Sequence, residues 1–318
     1  MTERDGRYVA RLAEAPEPEP DAGEVLVRVA ASGVNRADLS QIAGHYPPPP
    51  GESSILGLEI SGTVAGTGRP VCALLAGGGH AEAVAVPEGQ IFQAPEGMSV
   101  VHAAAIPEAF LTAFVNLVVE ASLREGETLL VHAGASGVGL AAIALGHFLG
   151  ARVAATTRTP EKVPALRQAG ADLAIDTSSE DFADAVERHW GACAVGVVLD
   201  PVGAATLSGD LRVLATGGRV VFLATMSGSR AELDIRVLMG RRARLIGSTL
   251  RSRSRAEKAR IVERFEKEIL PEFEAGRLRV TIDSIYPPGD ASAAFTRIRE
   301  NRNIGKILIN WQAARSAV

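Results

Sequence analysis

Residues 129–139 read LLVHAGASGVG, an apolar run that enters a turn of small residues and leaves it into another apolar run. Glycine weakens helices and strands, so glycines between two segments that both favour burial mark a backbone that bends sharply or approaches something closely. Gly134, Ser136, Gly137, Val138 and Gly139 follow a predicted strand and open a predicted helix. In that reading Gly134 gives the tight turn, and Gly137 and Gly139 permit close approach. Backbone N–H groups and the positive end of a helix then converge, which is how a dinucleotide pyrophosphate is held. The spacing departs from G-x-G-x-x-G, and the competing reading is tight helix-on-sheet packing without a ligand. The next strand, ARVAATT, ends in Thr157 and Arg158, with Lys162 one turn later. A carboxylate at this strand end would take a ribose 2′-hydroxyl. A hydroxyl, a guanidinium and an ammonium suit a 2′-phosphate instead, which favours NADPH; ordinary solvated charges at a helix entry are the alternative.

Other positions carry groups able to meet developing charge. Asn35 follows the strand-like EVLVRVAASGV. Its amide can donate to a ribose or a substrate carbonyl, or cap RADLSQ as an Asx turn. Tyr46, in GHYPPPP, is one of three tyrosines. A phenol on a stiff loop can hydrogen-bond an acceptor oxygen and relay a proton, or its ring can pack on the prolines. Phe222, Leu223 and Ala224 end the predicted strand GRVVFLA, at the sheet edge where ligands gather in doubly wound folds. Asp200, which ends AVGVVLD, reads as the cap of the following turn. His132 reads as a satisfied core residue, and the six histidines show no ligand spacing.

The elements that must position these groups fall into two patterns. The first third alternates as short strands with Gly-rich turns, a compact β-rich domain of barrel or sandwich type. From about residue 100 the pattern becomes a helix interrupted at Pro107, then strands at 128–133, 151–157, 173–176, 194–200, 218–224 and 243–250 separated by helices. Continuous apolar strands spaced by helices imply a parallel, doubly wound α/β sheet. Helices are expected over 137–150, 160–170, 178–190 with a Ser cap, 204–215 and 254–275. A tail of strand, helix and strand returns to the first domain. The apolar 243–250 run reads as an edge strand, and unpaired edges favour pairing with a second copy. Of 318 residues, 47% are hydrophobic and 22% charged, with a net charge of −4, which gives no nucleic-acid face. The basic block from Arg241 to Arg255 reads as a solvated or phosphate-contacting surface. Two distant cysteines, Cys72 and Cys193, suggest no disulfide framework. No run reaches the roughly 18 apolar residues of a membrane span, nor does the polar N-terminus offer a signal-peptide core. These features lead to the expectation of a cytoplasmic protein.

GEVLVRVAASGVNRADLSQIAGHYPPPPG, ILGLEISG, AAAIPEAFLTAF, LLVHAGASGVG, LRSRS and NIGKILI occur in this order along nearly the whole chain. With them the chain resembles the zinc-free quinone oxidoreductase branch of the medium-chain dehydrogenase/reductase superfamily. The resemblance implies a GroES-like β-barrel domain over 1–105 and 276–318, a Rossmann domain over 106–275, NADPH in the cleft between them, and a homodimer. It also implies hydride transfer to a quinone or an electron-poor alkene. By the same resemblance Thr112 meets the cofactor near the nicotinamide, and Asn303 and Lys306 form the C-terminal cofactor contact. A helix-interior Thr bonded to its own chain and a surface Lys are the plain alternatives. The family's Tyr after the third Rossmann strand is absent; Asp176 and Thr177 stand there. Zinc-dependent relatives supply a Cys, a His–Glu pair and a later Cys to a catalytic zinc, where this chain has Asn35 and Leu58–Glu59. The expectation is therefore no metal, and reduction of an already polarised acceptor. Enoyl or 2-alkenal reduction, and NADPH binding with little turnover, are the other readings.

Overall fold

The computed structural model describes residues 2–4, 7–9 and 11–312. In chain order, β1 (Thr2–Arg4) and β2 (Arg7–Val9) pair antiparallel, and β3 (Glu24–Val34) leads into α1 (Arg36–Ile42). β4 (Glu59–Val64), β5 (Pro70–Leu74), β6 (Ala83–Pro87) and β7 (Ile91–Gln93) follow. α2 (Val100–Ala103) and α3 (Pro107–Phe114) are separated at the expected proline, and α3 passes into a π-helical turn, Val115–Glu120. Strands and helices then alternate: β8 (Thr128–Val131), α4 (Gly137–Phe148), β9 (Arg152–Thr157), α5 (Val163–Gln168), β10 (Leu173–Asp176), α6 (Phe182–Trp190), β11 (Val195–Asp200), α7 (Leu207–Val213), β12 (Leu214–Phe222), α8 (Ile235–Arg241) and β13 (Arg244–Gly247). The chain closes with α9 (Arg255–Glu268), α10 (Leu270–Glu274), β14 (Ile282–Tyr286), α11 (Ala291–Arg299) and β15 (Lys306–Asn310).

Two compact units result: Thr112–Thr249, and Met1–Leu111 with Leu250–Val318. This division differs from boundaries at 105/106 and 275/276, because α9 and α10 present their aromatic residues to the first unit. Phe265 meets Phe92 edge-on at 5.5 Å, and Phe273 meets Phe110 at 4.7 Å. The helix expected over 254–275 is broken where Pro271 enters α10. The cap of α6 is Asp181 rather than a serine; its carboxylate accepts from Ala183 N and Asp184 N.

In the Thr112–Thr249 unit, six parallel strands lie in the order β10-β9-β8-β11-β12-β13. Numbered within the unit this is 3-2-1-4-5-6, the doubly wound dinucleotide-binding order, whose direction reverses between β8 and β11. Phe182, Val186, Leu207 and Leu211 of α6 and α7 close one core against Leu130, Ala154, Val198 and Val220 of the strands. β13 is an edge strand, as its sequence suggests. The other unit carries a seven-stranded sheet in the order β14-β15-β3-β4-β5-β7, with β6 also on β3. The C-terminal β15 pairs antiparallel with β3, so the tail does return to the first domain. Val27, Val29, Ile60, Val71, Ile307 and Trp311 centre this second core.

Candidate active site

The loop after β8 is built by small residues for a reason different from the one its sequence suggests. The left-handed turn falls on Ala133, with φ of 51°, rather than on Gly134. Gly134 is instead kept small by its neighbours: a Cβ there would lie 3.1 Å from the Ala155 Cβ and 3.2 Å from Leu166. Its N–H donates to the Thr156 carbonyl at 2.8 Å, which ties the loop to β9. A Cβ on Gly139 would lie 2.5 Å from the Ala133 oxygen and 2.6 Å from the Gly134 oxygen, both backbone atoms. Ser136 caps α4, its Oγ accepting from Gly139 N at 3.0 Å. The first turn of α4, with Gly137 and Val138, therefore opens at the C-terminal end of the central strand, beside the switch point.

Beneath this loop a polar cluster is closed off. His132 is buried; Nδ1 lies 3.0 Å from Thr156 Oγ1 and Nε2 2.8 Å from Asp210 Oδ1, so it is the satisfied core residue expected. Burial disfavours the imidazolium, but the Asp210 carboxylate outweighs it and raises the histidine. Burial likewise pushes Asp210 up to about 6 against the pull of His132. Asp200 caps the turn after β11, accepting from Val202 N at 2.6 Å and Thr206 Oγ1 at 2.7 Å.

At the end of β9, Thr157 is buried with Oγ1 accepting from Thr159 N, while Arg158 is exposed and Lys162 is nearly buried. Asp176, at the end of β10, pairs in register with Thr157. Hydrogen bonds from the Ser178 hydroxyl and N–H hold its carboxyl below the usual range, so an anion stands at this strand end. Phe222 ends β12 with its carbonyl accepting from Ser248 N, and Leu223 N donates to the Asp200 carbonyl; Ala224 beyond them is exposed. Thr112 is buried, and its Oγ1 has no hydrogen-bond partner. It does not bond back to its own helix. Its carbonyl instead accepts from the Asn116 side chain at 2.7 Å, in the π-helical turn. A buried hydroxyl without a partner is unusual and points to a group that it meets.

In the first unit three neighbouring strands, β15, β3 and β4, bring their ends together, with Ile307 beside Val34 and Ser32 beside Ile60. Glu59 is fully buried there. Its Oε1 accepts from Asn35 Nδ2 at 2.8 Å and from the Lys306 ammonium, and its Oε2 accepts from Glu108 N at 2.8 Å. Lys306 also donates to Asn35 Oδ1 at 2.6 Å, and Asn35 Nδ2 to the Gly33 carbonyl at 3.1 Å. Gly33 is obligatory, since a Cβ would lie 2.1 Å from Glu59 Oε1. The polar groups of Asn35 and Lys306 are engaged with one another and with Glu59 inside this unit, because a buried carboxylate requires donors. Asn303 Nδ2 donates to the Gly305 carbonyl at 2.8 Å.

Tyr46 is half-buried on its loop and does more than pack on prolines. The Arg251 guanidinium lies 5.0 Å over its ring and donates to its carbonyl at 3.0 Å. Arg251 also donates to the Ala76 carbonyl and to Gln41 Oε1, each at 2.7 Å. It is buried, and the expected phosphate-contacting or solvated surface does not include it. Sequence reasoning overlooked Glu108 and Lys258. Burial and the Glu59 carboxylate push the Glu108 carboxyl up to about 8, against Lys306 and Lys258. Burial holds the Lys258 ammonium below its usual range. Burial and Glu108 together raise the Tyr46 phenol. Among the described residues, no group of three or more His, Cys, Asp or Glu side chains is arranged to hold a metal ion, and no helix is long and apolar enough to cross a membrane.

Comparison with known proteins agrees with both units. Residues 21–96 match the alcohol dehydrogenase GroES-like domain, and residues 137–267 match the zinc-binding dehydrogenase family. The chain is 36% identical over 330 aligned positions to the spectinabilin polyketide synthase system protein NorB of Streptomyces orinoci, an alignment that takes in 97% of this chain and 14% of that protein. It is 28% identical to the quinone oxidoreductase of Homo sapiens, over 88% of this chain and 87% of that one. The crystal structure of the quinone oxidoreductase from Thermus thermophilus, solved also with NADPH, superposes with a TM-score of 0.79 at 33% identity, over 94% of this chain and 95% of that one. With a Rossmann-type sheet, a GroES-like unit and relatives named as quinone oxidoreductases, the chain belongs to the medium-chain dehydrogenase/reductase superfamily of oxidoreductases.

Proposed function

We propose that the protein is an NADPH-dependent oxidoreductase that reduces a quinone-type acceptor without zinc. The observation that carries this reading is the site at the zinc-ligand positions of its relatives. There a Lys306 ammonium engages Glu59 and Asn35, so the fixed positive charge is an amino group already built into the fold. Two features fit a dinucleotide: Gly139 lets the first turn of α4 pack directly on the Ala133 and Gly134 carbonyls, and Thr112 keeps a buried hydroxyl without a partner among the described residues. The α4 N-terminus with Ser136, Gly137 and Val138 would hold the pyrophosphate. Thr157, Arg158 and Lys162 would receive a 2′-phosphate, with Asp176 tempering the preference over NADH. Thr112 and the Phe222–Ala224 backbone would orient the nicotinamide. In the other unit Asn35, Asn303 and Lys306 are the candidates for cofactor contact.

A bound reduced nicotinamide supplies the hydride. The chain's own contribution is to orient the acceptor and answer the charge that appears on its oxygen. Tyr46 is the donor for that oxygen. Replacing it with phenylalanine is expected to lower kcat for 1,4-benzoquinone or 9,10-phenanthrenequinone about tenfold or more, while NADPH binding stays unchanged. Steady-state NADPH oxidation checks this; a Tyr46→Phe enzyme with wild-type kcat would sink the assignment.

The likeness to a polyketide synthase segment favours a second reading, reduction of an enone or enoyl thioester. Turnover of a 2-alkenal or crotonyl thioester with inert quinones would decide for it. No turnover with any acceptor would leave an NADPH-binding protein. We also propose a cytoplasmic homodimer. β13 is a sheet edge, and the adjacent α8 exposes Ile235 and Met239, at 62% and 71%. Sedimentation at micromolar concentration is expected to give twice the 33.2 kDa chain mass; a monomer would refute the edge pairing.

A further inference from the structure

A chain of side-chain hydrogen bonds crosses the dinucleotide-type unit directly beneath the β8 loop. Thr156 Oγ1 of β9 lies 3.0 Å from His132 Nδ1, and His132 Nε2 lies 2.8 Å from Asp210 Oδ1 of α7. All three side chains are buried, and Phe182 of α6 meets the imidazole edge-on at 4.7 Å. Two backbone links tie this chain to the loop. His132 is the residue before Ala133, where the left-handed turn falls, and its N–H donates to the Leu199 carbonyl of β11 at 3.0 Å. The Thr156 carbonyl accepts from Gly134 N at 2.8 Å. At the far end the second Asp210 oxygen, Oδ2, is buried without a partner among the described residues. Buried carboxylate oxygens almost always have donors. A proton on this one turns an orphan acceptor into a donor beside the Asp200 carboxylate, which opposes a second negative charge there.

We propose that the His132–Asp210 pair is a proton-linked positioning element of the nucleotide loop, which takes up a proton when the cofactor pyrophosphate binds and so makes cofactor affinity fall as pH rises. The inference rests on the nucleotide reading of the β8 loop and not on the identity of the acceptor. With two protons the pair is an imidazolium beside a neutral carboxyl and carries one net positive charge. With one proton it is neutral, and with none it carries one net negative charge. A dianionic pyrophosphate at the α4 N-terminus favours the more protonated forms. Protonation also reaches the loop through the direction of a hydrogen bond. A neutral imidazole with its proton on Nε2, toward the Asp210 carboxylate, accepts the Thr156 hydroxyl proton at Nδ1. An imidazolium donates from both nitrogens, so the Thr156 hydroxyl must turn and accept. The titratable groups facing the imidazole are Asp210 of α7 and Asp200 at the end of β11; Thr156 and Phe182 supply its other sides. Burial opposes the imidazolium and these two carboxylates outweigh it, while burial pushes Asp210 up to about 6. The pair therefore changes its proton count from about pH 6 upward into the range above an ordinary histidine.

Cofactor affinity measured against pH tests this. The 2′-phosphate of NADPH itself changes charge at about pH 6, as phosphate monoesters do, so NADH is titrated beside it. Nicotinamide fluorescence of the full chain is expected to show the wild-type Kd for NADH rising about tenfold between about pH 6 and 9. In His132→Gln/Asp210→Asn polar side chains remain but neither titrates, and the Kd should stay level with pH. A merely structural role would weaken binding equally at every pH. If the double variant fails to fold, Asp210→Asn serves: without the carboxylate, burial lowers the proton affinity of His132, and the rise should move toward acid. Calorimetry near pH 7 in two buffers of different ionisation heat should show a fraction of a proton taken up for each NADH bound by the wild type. A level wild-type Kd, no proton uptake, or a rise that survives unchanged in the variant overturns the proposal alone. Binding of neither cofactor at any pH overturns the nucleotide reading of the loop and this proposal with it.

Discussion

Replacing Lys306 by methionine is expected to destabilise the protein by about 3–5 kcal/mol. The methionine keeps most of the volume but removes the ammonium that Glu59 and Asn35 share, and the side chains of Lys306 and Glu59 are 5% and 0% exposed. What remains, among the described residues, is a buried carboxylate with the Asn35 amide and the Glu108 N–H as donors. An uncompensated buried charge costs far more than the ion pair contributed, so the loss measures the orphaned Glu59 rather than the strength of the bridge. The double variant Glu59→Gln/Lys306→Met removes both charges and should recover most of the loss. Urea unfolding followed by circular dichroism would show it as a large drop in midpoint for the single variant and a small one for the double. A single variant within about 1 kcal/mol of wild type would mean that Glu59 is neutral or solvated in the folded protein.

The second large effect is expected at Gly139. Alanine there places a Cβ 2.5 Å from the Ala133 oxygen and 2.8 Å from the Gly134 carbon. Both are backbone atoms of the loop itself, so no side chain can swing aside, and the strand–turn–helix must open. Overpacking of this kind costs about 1–3 kcal/mol of stability. The effect on ligand binding should be larger, because the displaced groups are those that would cradle the pyrophosphate. NADPH affinity, read from nicotinamide fluorescence, is expected to fall on the order of 100-fold, about 2.7 kcal/mol. Gly240→Ala is the control: it lies in α8 with nothing within 4 Å of the added Cβ, and should bind as wild type. If Gly139→Ala also binds as wild type, the loop holds no pyrophosphate.

These effects depend on the two kinds of information that the chain carries. The dinucleotide-type unit was legible because its signals are local. Apolar strands of four to nine residues alternate with helices, and LLVHAGASGVG sits at the junction of β8 and α4. Asp200 was readable as a turn cap for the same reason, since its partners Val202, Gly203 and Thr206 are at most six residues away. Alternating buried strands and helices imply a parallel doubly wound sheet, while the strand order itself is a finding of the structure. Even there the turn geometry was misassigned, because the left-handed residue is Ala133. Steric crowding around Gly134 involves Ala155 and Leu166, which are remote in sequence.

What the sequence alone determined is therefore the doubly wound unit, the strand-rich unit, the return of the tail onto β3 and the address of a nucleotide loop. The tertiary structure decided which polar side chains have partners. Lys306 and Glu59 are 247 residues apart, and Arg251 and Tyr46 are 205 apart. No spacing rule reaches that far, so neither the Lys306–Glu59 pair nor the Arg251–Tyr46 stack is readable from the sequence. Nothing in the sequence singles out Glu108, an acid in the first turn of α3, or Lys258, one charge among many in α9. Charges in water differ little from one another. They acquire distinct proton affinities only when the fold removes water and fixes which other charges remain nearby.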